Sequence, residues 1–208
     1  MLKIYGRANS INVRKVLWMA EELGLAYQRE DWGRGYRSTS EEEFKRINPF
    51  EAIPVIDDDG FILRESNVIV RYLAVKHGRD DLFPADLRQR FLCETWMDWV
   101  SQDMYAANAR PVTMGKAFGI AEFQNAEMLE NAERGWTRQM GMLNAHLDDG
   151  NLYVLGDTFT VADIPAGLVV NRWYGIDFPK QEFPAVRSYY DRLSERAAYM
   201  AHGRNGTP

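Results

Sequence analysis

The stretch YGRANSINVRKVLWMAEELGL, residues 5–25, joins the end of a short apolar strand to an amphipathic helix. The strand LKIY ends at Tyr5. Apolar residues then recur at three- and four-residue steps from Val13 to Leu23, which predicts a helix. Gly24 follows at the position where a helix end favours a left-handed residue. A strand followed at once by a helix indicates an α/β fold.

Three polar side chains crowd the turn between this strand and this helix: Asn9, Ser10 and Asn12. Ser and Asn are preferred at a helix N-cap, where the side chain accepts a hydrogen bond from an unpaired backbone N–H. Ligands of α/β sheets also gather at the carboxyl ends of strands, next to helix N-termini. From the residues alone both interpretations stand, a structural cap and a ligand site.

Strand and helix signals alternate along the rest of the first ~80 residues. AYQREDW predicts a second strand, parallel to the first because a helix connects the two. A short helix in STSEEEFKRINP precedes IPVIDDDGFILRE, which predicts a hairpin that turns at Asp59 and Gly60. SNVIVRYLAVKHG predicts a further helix, ended by Gly78. Residues 1–80 therefore predict a small α/β domain.

Strand signals almost vanish after this point, and the chain becomes helical. Apolar residues at helical spacing in residues 86–105 include Leu92, Trp96, Trp99 and Val100, and we expect them to face a core. Residues 128–147 carry a second and longer stripe, and two further helices follow, one of them in FTVADIPAGLVVNRW. In that segment the spacing of Thr160 and Asp163 is that of a structural capping box. We predict an all-helical domain over residues 86–208.

Composition excludes several classes of protein. The 208 residues carry a net charge of −5, so no surface for duplex nucleic acid is expected. No apolar run approaches the ~18 residues of a membrane span, and no signal core opens the chain. The single cysteine, Cys93, cannot form an intramolecular disulfide or a zinc cage, which favours a cytoplasmic location and no metal. The acidic run at residues 57–59 is typical of a solvated turn.

Two further motifs lie where strands meet loops or helices. In NPFEAIPVI, Pro54 stands at the start of a strand, one of the few sheet positions that tolerate proline. In LRESNVIVRYL, Glu65 and Ser66 stand where a strand hands over to a helix. They could cap that helix. Alternatively, a helix N-terminus beside an acid could bind a carboxylate and an ammonium together, which is the α-amino acid end of a peptide.

The order and spacing of these motifs resemble the glutathione transferase family, in a bacterial, serine-type, theta-like class. The resemblance runs from SINVRKV through NPFEAIPVI and RESNVIVRYLA to FTVADI. It implies a thioredoxin-like, glutathione-binding domain over residues 1–80 and an all-α domain over residues 86–208. The helical domain would form the second-substrate pocket, with Tyr105, Arg110 and Trp173 as candidates for its lining. The family is usually homodimeric.

The resemblance assigns the chemistry to Ser10, whose hydroxyl would donate a hydrogen bond to the glutathione sulfur. Asn12 matches a polar position that assists in some bacterial members, and which of the two contributes more stays open. A free thiol has a pKa of ~8.5, so hydrogen bonding and a helix N-terminus must stabilise its anion. The glutaredoxin-type alternative needs a cysteine at this turn, where the chain has Ser10.

Binding of glutathione is implied for four residues. Ile53 would pair its backbone with the cysteinyl part, Pro54 matches the cis-proline that presents this backbone, and Glu65 and Ser66 would hold the γ-glutamyl end. One departure concerns the glycyl carboxylate, because many relatives have a lysine or another polar residue just before the Ile-Pro pair. Here Glu51 and Ala52 precede it. Our hypothesis is that Arg37 or Lys45 meets the glycyl carboxylate instead.

The predicted function is conjugation of the glutathione thiolate to a small, apolar electrophile, a detoxification reaction with glutathione as co-substrate. One alternative is a glutathione-dependent disulfide reductase or peroxidase at the same site. Another is a non-catalytic binding protein that kept the fold, and Glu51 followed by Ala52 is the feature that favours it.

Overall fold

The structure is a computed structural model that describes residues 1–208. The chain divides into two compact units, Met1–Asp80 and Asp81–Pro208, which are described separately. None of the helices combines the length and the apolar character that crossing a membrane requires.

The N-terminal unit is a four-stranded mixed sheet with three helices. Its strands stand in the order β2-β1-β3-β4, and β1 pairs parallel with β2 and antiparallel with β3, while β4 pairs antiparallel with β3. The elements in chain order are β1 (Leu2–Tyr5), α1 (Ile11–Glu22), β2 (Tyr27–Glu30), α2 (Glu42–Ile47), β3 (Val55–Asp58), β4 (Phe61–Arg64) and α3 (Ser66–Lys76). The predicted α/β layout, with its parallel crossover, is confirmed.

The β3–β4 hairpin turns where the sequence predicts. Asp59 and Gly60 both have positive φ, 52° and 93°, the conformation that a tight two-residue hairpin turn requires. Asp57 Oδ1 accepts a hydrogen bond from the Gly60 N–H at 2.7 Å, and Asp58 binds the Lys76 ammonium. The acidic run therefore builds a turn and an ion pair.

Helix α1 is buried over most of its circumference and packs against α3. Its apolar residues Val13, Val16 and Leu17 are in the core, as predicted. Two cations, Arg14 and Lys15, are buried with them, whereas a single apolar stripe would have left both in solvent. Burial of a cation is costly unless polar partners surround it, so these positions invite a functional explanation.

The C-terminal unit is entirely helical. Its elements are α4 (Leu87–Trp99), a π-helical segment (Val100–Ala109), α5 (Arg110–Val112), a second π-helical segment (Thr113–Ala117), a 3-10 turn (Ala121–Phe123), α6 (Ala126–Asp148), α7 (Asp163–Gly175), α8 (Pro184–Leu193) and α9 (Ala197–His202). The long stripe predicted within residues 128–147 is buried at Ala132, Trp136, Met140, Leu143 and Leu147.

The core face of α4 differs from the prediction. Leu92 is 52% exposed, and Trp96 and Trp99 are only half-buried, whereas Val100, just after the helix, is buried as predicted. The buried face instead carries Cys93 and Met97, one residue further along the helix. The predicted stripe and the buried stripe both have helical spacing. The predicted stripe carries the aromatic residues and is therefore the more apolar of the two in sequence. Helix α4 therefore presents an exposed apolar face.

Asp163 organises the start of α7. It is fully buried and accepts hydrogen bonds from the backbone N–H groups of Thr160 at 2.8 Å and Val154 at 3.0 Å, and from the Tyr189 hydroxyl at 2.9 Å. This buried network supports the structural interpretation of FTVADI, although Thr160 is not the N-cap, because α7 begins at Asp163 and its N-cap is Ala162.

Candidate functional site

Five of the six predicted site residues line one cavity of the N-terminal unit, with a volume of about 180 Å³. They are Asn12, Ile53, Pro54, Glu65 and Ser66. Four residues that the sequence analysis did not assign complete the wall: Asn48, Phe50, Ala52 and Arg64. The cavity lies where α1 and α3 begin and where the loop after α2 enters β3. This is the junction of strand ends and helix N-termini at which a ligand was expected.

Ser10 does not line this cavity, but it begins the helix that does. It stands at the N-cap of α1 in an extended conformation, with φ −81° and ψ 126°, two residues before Asn12. Its carbonyl accepts the first helical hydrogen bond, from the Arg14 N–H at 2.8 Å, while its side chain makes no capping hydrogen bond. Ser10 therefore caps α1 through its backbone only, and its hydroxyl, in a residue that is 9% exposed, makes no capping hydrogen bond.

The backbone of Ile53 is free to pair with a peptide. The Ile53–Pro54 bond is cis, as the resemblance implies, and neither the N–H nor the C=O of Ile53 is hydrogen-bonded within the protein. Two glycines approach this residue closely. A Cβ on Gly6 would stand 2.5 Å from Val13 Cγ2 and 3.1 Å from Ile53 Cβ, and a Cβ on Gly33 would stand 3.0 Å from Ile53 Cδ1. Glycine at these positions lets the strand ends close around Ile53.

Glu65 and Ser66 form the junction of β4 and α3. Glu65 has φ 70° and ψ 107°, which is unusual for a residue with a side chain, and its carboxylate makes no capping hydrogen bond. Backbone strain of this kind is typical of ligand sites. The Ser66 hydroxyl donates to Asn12 Oδ1 at 3.4 Å, so the first turns of α1 and α3 are joined across the cavity wall.

Lys15 is buried and contacts Ser66. Only 5% of the residue is exposed, and its ammonium donates to Ser66 Oγ at 3.4 Å and to Asn67 Oδ1 at 3.1 Å. A positive charge here reinforces the partial positive charge at the N-terminus of α3. The first turn of α3 is therefore prepared for a carboxylate.

The loop after α2 removes the suspected conflict at Glu51. Glu51 has φ 54°, and its carboxylate accepts a hydrogen bond from the Ser40 hydroxyl, so Glu51 is not among the residues that line the cavity. Asn48 holds the loop by donating to the Ala52 carbonyl at 2.8 Å and accepting from the Phe50 N–H at 3.1 Å. The acidic side chain therefore belongs to the outside of this loop.

Arg37 and Lys45 do not line the cavity either. Arg37 stacks on the Trp32 ring at 3.9 Å and is ion-paired with acidic side chains of the α2 segment. Lys45 contacts Glu42 at 3.4 Å. The structure thus gives no support to these two residues as partners of a carboxylate in the cavity and places Arg64 there instead.

The C-terminal unit has larger depressions, none of which holds a predicted site residue of the first unit. One of them, of about 450 Å³, lies between Pro111 and Met128 on its surface. Trp173 is wrong as a pocket-lining candidate, because it is 1% exposed and packs on Trp136 with ring centroids 5.2 Å apart. Tyr105 is half-buried and accepts from Arg172 at 3.4 Å, so it stays a candidate for the lining.

Two family models match the chain. The one described as "Glutathione S-transferase, N-terminal domain" matches residues 1–75 and includes every residue that lines the cavity. The one described as "Glutathione S-transferase, C-terminal domain" matches residues 105–197. The chain belongs to the glutathione S-transferase family. The resemblance carried by the motifs is confirmed.

Named relatives of this transferase cover nearly its whole length. It is 32% identical over 200 residues to glutathione S-transferase GstB of Escherichia coli K12, and the match covers 95% of each chain. It is 28% identical over 197 residues to glutathione S-transferase D6 of Drosophila melanogaster, covering 91% of this chain and 85% of that protein.

A solved structure of similar shape is the theta class glutathione S-transferase of Xanthomonas axonopodis pv. citri with glutathione bound. The TM-score is 0.90 at 30% identity, and the match covers 97% of this chain and 96% of that one. The predicted fold class, a thioredoxin-like α/β domain followed by an all-helical domain, is confirmed.

Proposed function

We propose that this protein binds glutathione in the cavity at the N-termini of α1 and α3 and transfers its thiolate to a small, apolar electrophile. The observation that carries the proposal is the Ser10 hydroxyl, which stands at the N-cap of α1 without a capping hydrogen bond. A serine that only capped the helix would use this oxygen for the cap. The glutathione bound to the similar theta class structure supports the choice of ligand.

The polar groups of the cavity match the peptide. The Ser66 hydroxyl and the N-terminus of α3, with Lys15 behind them, suit the α-carboxylate of the γ-glutamyl group. The unpaired carboxylate of Glu65 suits the α-ammonium. The free N–H and C=O of Ile53 suit the backbone of the cysteinyl residue, as in strand addition to a sheet edge.

Activation of the thiol follows from the position of Ser10. A hydroxyl that donates a hydrogen bond to sulfur stabilises the thiolate relative to the thiol, and the positive end of α1 acts in the same direction. Lowering the thiol pKa by two units requires about 2.7 kcal/mol, which one or two charge-assisted hydrogen bonds supply. The thiolate then forms a C–S bond with the electrophile, whose leaving group departs with the bonding electron pair.

Calorimetric titration of glutathione near pH 7, in two buffers of different ionisation enthalpy, tests this function. We expect binding with proton release, because the site holds the thiolate, and turnover of an aromatic halide electrophile. Binding without proton release would show that the site holds the peptide without activating it. Absence of binding at millimolar glutathione would overturn the proposal.

The acidic charge of Glu51, one part of the feature that favoured a non-catalytic binding protein, now weighs less in its favour. A negative charge would oppose a carboxylate in the cavity, but the Glu51 carboxylate accepts a hydrogen bond from Ser40 and Glu51 does not line the cavity. The predicted cytoplasmic location stays part of the proposal, supported by the single free cysteine, Cys93.

A homodimer is also part of the proposal, as the family resemblance implies. Each unit supports it with exposed apolar side chains: Leu87, Phe91 and Leu92 on α4, and Phe61, Ile62 and Val75 in the N-terminal unit. A second copy of this chain would cover the same surface on each protomer, as two-fold symmetry requires. Sedimentation velocity tests this, with Phe91→Glu expected to shift the protein to monomer and the exposed Asp157→Ala expected to leave the dimer intact. A monomeric wild type would overturn it.

A further inference from the structure

Arg64 is the one cationic side chain among the residues that line the cavity. Its guanidinium carbon lies 4.0 Å from the centroid of the Phe50 ring, and Phe50 lines the same cavity. No ion pair or hydrogen bond of the protein engages the Arg64 side chain. Its N–H donors are therefore available, and the stacked ring restricts the conformations of a long flexible side chain.

Glutathione presents more negative charge than the rest of the cavity accommodates. At neutral pH it carries two carboxylates and one ammonium. Ser66, backed by Lys15, serves one carboxylate, and Glu65 serves the ammonium. The glycyl carboxylate then has no partner among Asn12, Glu51 or the ion-paired Arg37. Arg64 is the cation that lines the cavity.

Arg64 and Ser66 contact different parts of the cavity wall. Ser66 contacts Asn12 of α1, whereas Arg64 contacts Phe50 in the loop after α2. An extended tripeptide spans about 10 Å and would pair its middle residue with the Ile53 backbone. With its γ-glutamyl end at Ser66, its glycyl end is directed to the Phe50 side.

We infer that Arg64, oriented by Phe50, binds the glycyl carboxylate of glutathione and makes the site selective for the complete tripeptide over γ-glutamylcysteine. The inference rests on the proposed function. Arg64 would supply two parallel N–H donors to one carboxylate, which is the geometry that guanidinium groups favour.

Two ligands, with and without the glycyl residue, are compared in the wild type and in variants of Arg64, which isolates the contact between Arg64 and the glycyl carboxylate. Affinities of glutathione and γ-glutamylcysteine are measured by calorimetry for the wild type, Arg64→Gln and Arg64→Lys. We expect Arg64→Gln to weaken glutathione about tenfold to fiftyfold and γ-glutamylcysteine less than threefold, because only the tripeptide has the contact to lose. Arg64→Lys keeps the positive charge but loses the two parallel N–H donors. Its affinity for glutathione should therefore lie between those of the wild type and Arg64→Gln.

Arg46→Gln is the matched control, since Arg46 is an exposed cation at the end of α2 that does not line the cavity. Equal losses for both ligands in Arg64→Gln would overturn the inference while leaving the proposed function standing. If the wild type bound neither ligand, the proposed function would fail and the inference with it. Melting temperatures of the variants show whether each remains folded.

Discussion

The ammonium of Lys15 lies 3.4 Å from the Ser66 hydroxyl oxygen, in a part of the N-terminal unit where only 5% of the lysine residue reaches solvent. A buried cation is retained at a cost in desolvation, so its position needs a compensating role. Ser66 begins α3, so the ammonium lies beside the partial positive charge at the N-terminus of that helix. The pair therefore connects a buried charge to Ser66, a residue that lines the cavity.

We predict that Lys15→Met weakens glutathione binding about fivefold to twentyfold, because the substitution keeps the packing volume and removes the charge. The turnover number at saturating glutathione should change less than twofold, since Lys15 acts on binding of the γ-glutamyl end. Calorimetry and steady-state kinetics measure the two effects. Lys45→Met, at an exposed ion pair, is the control, and an equal effect of both substitutions would contradict the role of Lys15.

Ser10→Ala should raise the pKa of the bound thiol by one to two units and reduce the rate at neutral pH about tenfold to a hundredfold, because a charge-assisted hydrogen bond to the thiolate is lost. The pH dependence of conjugation measures the pKa. Helix α1 should remain intact, because the Ser10 side chain makes no cap. If Asn12→Ala produced the larger shift instead, Asn12 would be the principal stabiliser of the thiolate.

The fold and most of the cavity follow from local sequence patterns. Strand and helix periodicities, and glycines at positions that require positive φ, set the elements of the N-terminal unit. The motifs around Asn12, Pro54 and Glu65 stand at element junctions, and the sheet brings such junctions together. Each prediction of this kind depends on a few neighbouring residues.

Features that depend on side-chain direction could not be predicted in the same way. The contact of Arg64 with Phe50 joins a strand end to a loop that is fourteen positions away, and neither residue has a local signal. The burial of Lys15 does not follow from a single apolar stripe, because α1 is covered on more than one face. The core face of α4 was predicted wrongly for a related reason: two stripes one residue apart have the same helical spacing, so spacing alone does not say which of them is buried.

Cys93 should be chemically inert in the folded protein. It is fully buried, and burial raises the pKa of its thiol to about 11. A thiol of this kind contains almost no thiolate at neutral pH, and the thiolate is the reactive form. We expect a chromogenic disulfide reagent to modify no thiol in the native protein and one in denaturant, with conjugation unchanged in Cys93→Ala. Rapid modification of the native protein with loss of activity would contradict this.

Asp58 should contribute to the loss of stability in acid. Hydrogen bonds from Lys76 and Tyr72 hold the pKa of its carboxyl below the usual value. Because the folded-state pKa is lower than the unfolded value of about 3.9, the contribution is present above pH 4 and disappears as the pH falls further. Asp58→Asn should destabilise the protein at pH 7, and the difference from wild type should shrink toward pH 3.

Urea unfolding at a series of pH values measures this difference. Asp59→Asn is the control, because Asp59 is largely exposed, its ion pair with the N-terminus is on the surface, and asparagine tolerates its positive φ. A stability difference for Asp58→Asn that stayed constant from pH 7 to pH 3 would show that the charge of Asp58 is not what matters.

Asp163 should be the most sensitive polar position of the C-terminal unit. Its buried carboxylate accepts from two backbone N–H groups and from the Tyr189 hydroxyl, and although burial raises its pKa to about 6, it is ionised at pH 7.5. Asp163→Ala would leave these donors buried without an acceptor, each at a cost of about 1–3 kcal/mol. We therefore expect a loss of roughly 3–5 kcal/mol in the free energy of unfolding at pH 7.5.

Asp163→Asn separates the charge from the shape. Its carbonyl can still accept, but its amide group turns two donors toward groups that are themselves donors, so an intermediate loss is expected. Urea midpoints with unchanged slopes measure both variants, and Asp157→Ala, at an exposed position of the same loop, should change the midpoint little. If Asp163→Asn were as stable as the wild type, the network would depend on packing rather than on the acceptors of the carboxylate.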